Sequence, residues 1–510
     1  MQSSLYVVTM SAASMPTAPH AGGAGEVTIP RAVWGVAAVI TFGAFMTGLD
    51  TSLVNVGIAV IGHDLGSALS STQWVASAYL LALAAALPAS GWLSRRFGAG
   101  RVWVAALAGF TVTSGLCAAA PNLALLIGFR ATQGLAGGLL VSTGISILAQ
   151  LVGRQGMGRV LAITGVPTVL APAIGPTVGA LLLVHLSWPW LFLINLPIGA
   201  LGLLLGLRFV PAGNREHAGR LDFPGLALVA AGVSALTYGI AEAAQRQSLA
   251  YVPATACLLV GMAALAVFTR RSLRVPSPLL DLRLFTNRVF AAATSQTLFG
   301  SAALFGGQII MPLYFQLQRD RSIVATGLLL LPFGLGAAAT FPIGGRLTDR
   351  FGGGRVAAAG LTLTALATIP MALLSTHADL VLVETLQVFR GVGLALSGAP
   401  VIAAAMAAVA RHQLDDASAQ VNIVSRVGGA LGSAVAVAIL TSMLTSAASR
   451  STLTAAFHTV FWWLTGASLL ALAGAARLIV AQRHAAAADA SSTAETPPRN
   501  SSPRPKGTRA

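Results

Sequence analysis

Charge is what this sequence has least of. Only 9% of its 510 residues are Asp, Glu, Lys or Arg, against roughly 25% in soluble domains, which excludes an ordinary water-facing surface. Lysine is all but missing: Lys506 is the single one, so arginine carries the positive charge. The two cysteines, Cys117 and Cys257, stand in separate apolar stretches without metal or redox spacing and are expected as free thiols. A phosphate-cradling loop of the Gly-x-x-x-x-Gly-Lys type is absent, which argues against ATP drive within the chain. Metal-ligand clusters and nucleophile–base arrangements are absent too, and the eight histidines scatter through loops, tails and helix ends. These gaps predict no metal, no cofactor and no enzyme activity.

What fills the space is apolar. The chain is 55% hydrophobic, with a mean hydropathy of +0.78. A helix needs about 20 apolar residues to cross the hydrocarbon core. Such runs lie near 33–56, 74–93, 102–120, 123–150, 160–184, 188–210, 223–241 and 251–269, then near 289–311, 325–345, 356–375, 380–410, 419–445 and 457–480. The expected fold class is therefore an all-α integral membrane protein with fourteen transmembrane helices. The net charge of +16 does not mark a nucleic-acid surface, because the basic residues sit in short loops between apolar runs.

Those loops orient the chain. With the N-terminus in the cytoplasm, the inner loops hold Arg95, Arg96, Arg101, Arg154, Arg159, Arg208, Arg215 and Arg220, and nine more arginines from Arg270 to Arg411. The outer loops hold only Arg246, Arg319, Arg321 and Arg450. Such a positive-inside bias supports both the count of fourteen and two cytoplasmic termini in a cytoplasmic-membrane protein. Residues 1–31 lack the basic start of a signal peptide and read as a cytoplasmic tail. The Ala-, Ser-, Thr- and Pro-rich stretch 483–510 reads as a disordered one.

An internal repeat divides the membrane part. The loop Gly91-Trp-Leu-Ser-Arg-Arg-Phe-Gly-Ala-Gly-Arg-Val102 returns as Gly345-Arg-Leu-Thr-Asp-Arg-Phe-Gly-Gly-Gly-Arg-Val356, with eight of twelve positions identical. Two helices later Phe129-Arg130 is echoed by Phe389-Arg390. Two homologous six-helix bundles follow, 32–210 and 289–482, separated by an inserted helix pair and basic loop, 211–288. Parallel repeats of this kind point to alternating access, with a substrate site between the halves near the midplane.

Within the spans, a few polar groups stand out. Asp50 lies in the first run, where a carboxylate costs about 2.5–3.5 kcal/mol on insertion scales. Burial and a nearby cation pull a carboxyl pKa in opposite directions, so such a group can be tuned to load and release protons; a helix-end cap is the alternative. Arg130, in the fourth run, lies about 12 Å below Asn122 at 1.5 Å per residue, a depth comparable to Asp50. An Asp50–Arg130 pair across the cavity wall would be a proton-sensitive two-state element, or else a static bridge. The fifth run carries Gly165, Pro172, Gly175, Pro176 and Gly179, a small-residue face on a proline-bent helix. Glu384 lies near an outer helix end, Arg426 near an inner one, and Arg390 mirrors Arg130.

Together these motifs resemble the major facilitator superfamily, specifically its fourteen-helix drug:proton antiporter branch, over about residues 32–480. The resemblance implies the major facilitator fold, with two six-helix bundles plus a two-helix insert. It places an Asp and an Asn of helix one, here Asp50 and Asn55, on the cavity side. It ties Arg130, and through the repeat Arg390, to proton coupling, and it makes the helix-five pattern an antiporter signature. The loop motif, with Gly91, Arg95, Arg96, Gly98 and Arg101 in one copy and Gly345, Asp349, Arg350 and Gly352 in the other, becomes a conformational latch. Arg95 departs from that pattern, which has an acid there. Asn55, Gln133 and Gln308 are candidate substrate-lining residues. The implied function is export of hydrophobic or cationic drugs in exchange for protons, by a monomer driven by the proton gradient. The alternatives are a dedicated exporter of one metabolite or self-made antibiotic, and a transporter-like receptor that moves nothing.

Overall fold

In the bilayer every backbone polar group must be satisfied internally, so apolar runs of this length become helices. The computed structural model describes residues 30–152, 157–215, 219–246, 252–275, 278–374, 379–443 and 450–494. Its long helices are α1 (Arg31–Asp64), α2 (Trp74–Phe97), α3 (Ala99–Ala118), α4 (Leu123–Val152), α5 (Met157–His185), α6 (Trp190–Phe209) and α7 (Phe223–Arg246). They continue with α8 (Val252–Ser272), α9 (Arg288–Leu313), α10 (Ile323–Phe351), α11 (Gly353–Met371), α12 (Leu380–Ala407), α13 (Leu414–Met443) and α14 (Arg450–Ala494). Among the described residues there is no strand. Thirteen of these helices are long and apolar enough to cross a membrane, and α5, with 29 residues, is long enough as well. Val112, Val184, Leu204, Leu207 and Val381 are exposed on the outer surface, as lipid-facing residues are expected to be.

Side chains and glycines set the helix ends. Asn287 caps α9 by accepting from the backbone N–H groups of Val289 and Phe290, Ser322 caps α10, and Asp379 caps α12. At the loop repeat, α2 stops at Gly98 with φ +92° and α10 at Gly352 with φ +84°. L side chains rarely adopt that backbone, so both copies of the motif need glycine there. The repeat is thus structural as well as textual.

Helix α1 packs on α5, and α2 and α3 pack on α4; in the second half α9 packs on α13 and α14, while α10 and α11 pack on α12. The halves meet along α5–α10 and α2–α13. The inserted hairpin α7–α8 leans on α2 and α13, where Val229, Val233 and Phe268 pack with Ala84 and Ala419. The chain departs from its composition at one end. Helix α14 runs past Arg483, where a disordered tail was expected, to Ala494. Ala485 to Ala488 have the highest helix propensity, and the first breakers, Pro497 and Pro498, come later. Residues 1–29 and 495–510 of the expected tails, and Arg154, lie outside the described residues.

Candidate functional site

Five helices of the first half aim polar side chains at one point. Asp50 comes from α1, Ser114 from α3, Arg130 and Gln133 from one face of α4, Asn195 from α6, and Tyr79 from α2. Arg130 Nη1 donates to Asp50 Oδ2 at 2.6 Å and to Gln133 Oε1 at 2.7 Å. Asp50 Oδ1 accepts from Asn195 Nδ2 at 2.9 Å and Gln133 Nε2 at 3.3 Å. Ser114 Oγ accepts from both amides, at 3.0 and 3.1 Å, and donates to the Phe192 carbonyl. Arg130 Nε donates to the Val75 carbonyl, and its guanidinium lies 4.2 Å over the Tyr79 ring. Asp50 is 0% and Arg130 1% exposed.

This is a sealed ion pair in which both Asp50 oxygens accept hydrogen bonds, while Tyr79 Oη and Asn195 Oδ1 in the same cluster have no hydrogen-bond partner among the described residues. Charges in such surroundings interact far more strongly than in water, and removing one partner strands the other. The pair ties α1 directly to α4 inside the bundle. The expected pair forms, but inside the first bundle rather than on a cavity wall.

Three lining candidates fare differently. Gln133 does not line a cavity, because it is fully buried as a bridge within the pair. Asn55 is exposed and cannot share a face with Asp50, since five residues at 100° each leave them about 140° apart. Gln308 is half-buried on α9. Asn195, Ser114 and Tyr79 are the members that sequence reasoning missed; a lone amide inside an apolar helix was the available signal for Asn195.

The mirror position in the second half is built differently. Arg390 is buried, and its Nη1 donates to Gln387 Oε1 at 2.7 Å, one turn before it rather than after. The backbone that faces its guanidinium belongs to Gly307 of α9. The repeat offset is 254 residues from Arg95 to Asp349 and 260 from Arg130 to Arg390. Gly307, 257 residues after Asp50, faces the Arg390 guanidinium as Asp50 faces that of Arg130. No described carboxylate pairs with Arg390.

At the end that carries both loop repeats, hereafter the basic end, the halves are clasped. Arg95 of α2 bonds Asp416 of α13 at 2.5 Å, and Arg159 of α5 faces Asp349 of α10 at 3.6 Å. Arg159 and Asp416 each follow an arginine, Arg154 and Arg411, by five residues. The two bridges are therefore equivalent positions with the charges exchanged, and the acid missing at position 95 is supplied by Asp416. Gly91 leaves room for the Asp416 carboxylate. Gln150 adds a bond to Asp415 at 3.2 Å, and Ser418 donates to the Ser142 carbonyl at 2.8 Å. Gly345 is buried, whereas Arg96, Arg101 and Arg350 are exposed.

Helix α5 lies on the seam between halves. Gly175 is pressed against Ser52 and Gly179 against Leu53, both on α1, while Gly165 meets the Phe341 ring of α10. Pro176 is half-buried; the side chain of Pro172 lies outside the described residues. The small-residue face thus lets one helix approach both bundles.

The sequence profile described as Major Facilitator Superfamily matches residues 40–433. The Multidrug resistance protein B homolog of Mycobacterium tuberculosis is 33% identical over 408 residues, covering 79% of this chain and 76% of that protein. The Riboflavin transporter RibZ of Clostridioides difficile is 29% identical over 374 residues, covering 72% and 79%. Among solved structures, the human organic anion transporter MFSD10 (TETRAN) superposes with a TM-score of 0.62 at 17% identity, covering 88% of this chain and all of that one. The proton:xylose symporter XylE superposes at 0.59 and 14% identity, covering 87% and 95%. A repeated six-helix bundle, the matched profile and these relatives agree: the chain belongs to the Major Facilitator Superfamily and is a multi-pass membrane transporter, not an enzyme.

Proposed function

We propose that the chain is a drug:proton antiporter that exports small hydrophobic molecules across the cytoplasmic membrane by alternating access. The observation that carries this reading is the sealed Asp50–Arg130 pair, a titratable switch inside one bundle. Protonating Asp50 releases Arg130, and the loss of one strong contact between α1 and α4 changes which packing of the bundle is favoured. Arg390 has no acid to answer it among the described residues and stays outside the coupling step. The clasp of Arg95–Asp416 and Arg159–Asp349 closes the basic end, which the arginine asymmetry assigns to the cytoplasm, with both termini on that side. Export then requires these bridges to open for loading and re-form for release. The helix-five glycines and the relatives named for multidrug resistance support export over import.

A second reading, one dedicated metabolite as cargo, is favoured by the relative named for riboflavin transport. Uptake into inverted vesicles under an imposed proton gradient, on a panel of dyes and antibiotics, separates the two. A multidrug exporter accumulates several unrelated compounds, and Asp50→Asn abolishes all of that accumulation. A dedicated exporter accumulates at most one of them. Undiminished gradient-driven uptake by Asp50→Asn refutes the coupling assignment.

A further inference from the structure

The described charges at membrane depth do not balance. Asp50 is already committed to Arg130, and Glu384 lies only four residues into α12, at the end opposite the clasp. Two further guanidiniums, Arg390 and Arg426, are embedded without an acid. Arg426 makes no hydrogen bond and no ion pair to any described residue. A cation at such depth costs several kcal/mol unless something compensates it. Retaining one without a partner marks a place where the partner arrives from outside the chain.

Its position says where. Arg426 lies ten residues past Asp416 of the clasp, about 15 Å along α13, which puts it deeper than the inner helix end expected from the sequence, toward the middle of a hydrocarbon core of roughly 30 Å. On α13, Gly428, Gly429 and Gly432 face α9, and Ala419 and Ile423 face α2 and α7. The stripe of Asp415, Asn422, Arg426 and Ser433, spaced seven, four and seven residues, shares the face of Ala419. Its first member reaches Gln150 of α4 in the other half, so this stripe lines the plane between the halves. Arg426 is half-buried there, within electrostatic reach of Tyr79 of α2. Tyr79 in turn lies beneath the Arg130 guanidinium.

We propose that Arg426 is the anion-recognition point of the transport cleft, binding the carboxylate, phosphate or sulfonate group of an amphipathic substrate. The site rests on the exporter reading for its role but not for its existence. It reverses the cationic part of the expectation: the cleft between the halves offers an unpaired guanidinium at mid-depth, and no described carboxylate at that depth is free to receive a cation. Arg390 adds positive potential in the same half, and the buried Tyr79 ring stacks on the Arg130 guanidinium of the Asp50–Arg130 pair.

Equilibrium binding tests this without any proton gradient. The full-length protein is placed in phosphatidylcholine nanodiscs and titrated with carboxyfluorescein and with rhodamine 6G, an anionic and a cationic xanthene dye. Wild type is expected to bind the anion at least ~10-fold more tightly, and Arg426→Gln to lose ~10-fold for the anion alone, as for one charge-assisted contact. Arg426→Lys should retain most of the affinity. Displacement of the bound dye from wild type by 1-naphthalenesulfonate, and not by 1-naphthylmethylammonium, gives the same answer if the glutamine variant does not fold. Preference of wild type for the cation, binding of neither dye, or unchanged anion affinity in Arg426→Gln overturns the proposal. So does loss of dye binding when phosphatidylglycerol is added, which would make a lipid headgroup the occupant. Arg426-dependent binding without gradient-driven uptake would keep this site and refute the exporter reading instead.

Discussion

Arg130 and Arg390 occupy equivalent places in two related bundles, and each holds a glutamine one turn away. Around Arg130 the bundle supplies a carboxylate, two amides, a serine and an aromatic face, all sealed from solvent. Around Arg390 it supplies Gln387 and the bare backbone of Gly307. A buried ion pair is held by its geometry and is sensitive to one proton, whereas an unpaired buried cation is sensitive to whatever anion reaches its neighbourhood. The two related bundles thus differ in charge at equivalent places: the first holds a complete ion pair, and the second holds a guanidinium with no described carboxylate beside it.

The largest effect expected from that contrast is on stability. Arg130→Gln strands Asp50 and should cost about 3–5 kcal/mol, while Arg390→Gln removes a cation that has no acid and should cost far less. Thermal unfolding of the two purified variants decides it, and equal losses would erase the distinction between the halves. The clasp comes next, with an expected coupling of about 1 kcal/mol for a partly exposed pair. Arg95→Asp puts two carboxylates together and should slow transport, and Asp416→Arg added to it should restore the rate. A double-mutant cycle on initial rates measures this; additive losses would mean that the bridge plays no part in gating.

The smallest effect concerns the inserted hairpin. Burial pushes the Asp222 carboxyl up, but hydrogen bonds from the Arg271 guanidinium, 2.8 Å away, and from the Gly225 N–H outweigh it and hold the group below its ordinary value. A depressed folded pKa contributes stability that is complete above the unfolded pKa of about 4 and is lost as pH falls through the lower folded value. Arg271→Gln should flatten the acid limb of unfolding temperature against pH between about 6 and 3. An unchanged limb would show that the pair contributes nothing.

The helices were legible because apolar length writes each span directly, and the repeat was legible because turn glycines such as Gly98 and Gly352 cannot drift. Asp50 and Arg130 stood out for the cost of burying charge. Asn195 and Ser114 did not, since a neutral polar residue in an apolar helix has many ordinary uses and only tertiary packing brings these two to one carboxylate. Asp416 was hidden for a different reason: its partner, Arg95, is 321 residues away and has the opposite charge to the one its motif leads one to seek. Asn55 lies on a different face of α1 from Asp50, because nearness in sequence does not mean a shared helical face.

The central claim is that proton coupling resides in the first half alone. Proton flux in proteoliposomes, read with an interior pH dye while a transported drug runs down its gradient, addresses it directly in wild type, Asp50→Asn and Arg390→Gln. Wild type and Arg390→Gln should move protons against the drug, and Asp50→Asn should move none. Drug-driven proton flux of wild-type size in Asp50→Asn, or its loss in a folded Arg390→Gln, would contradict the account.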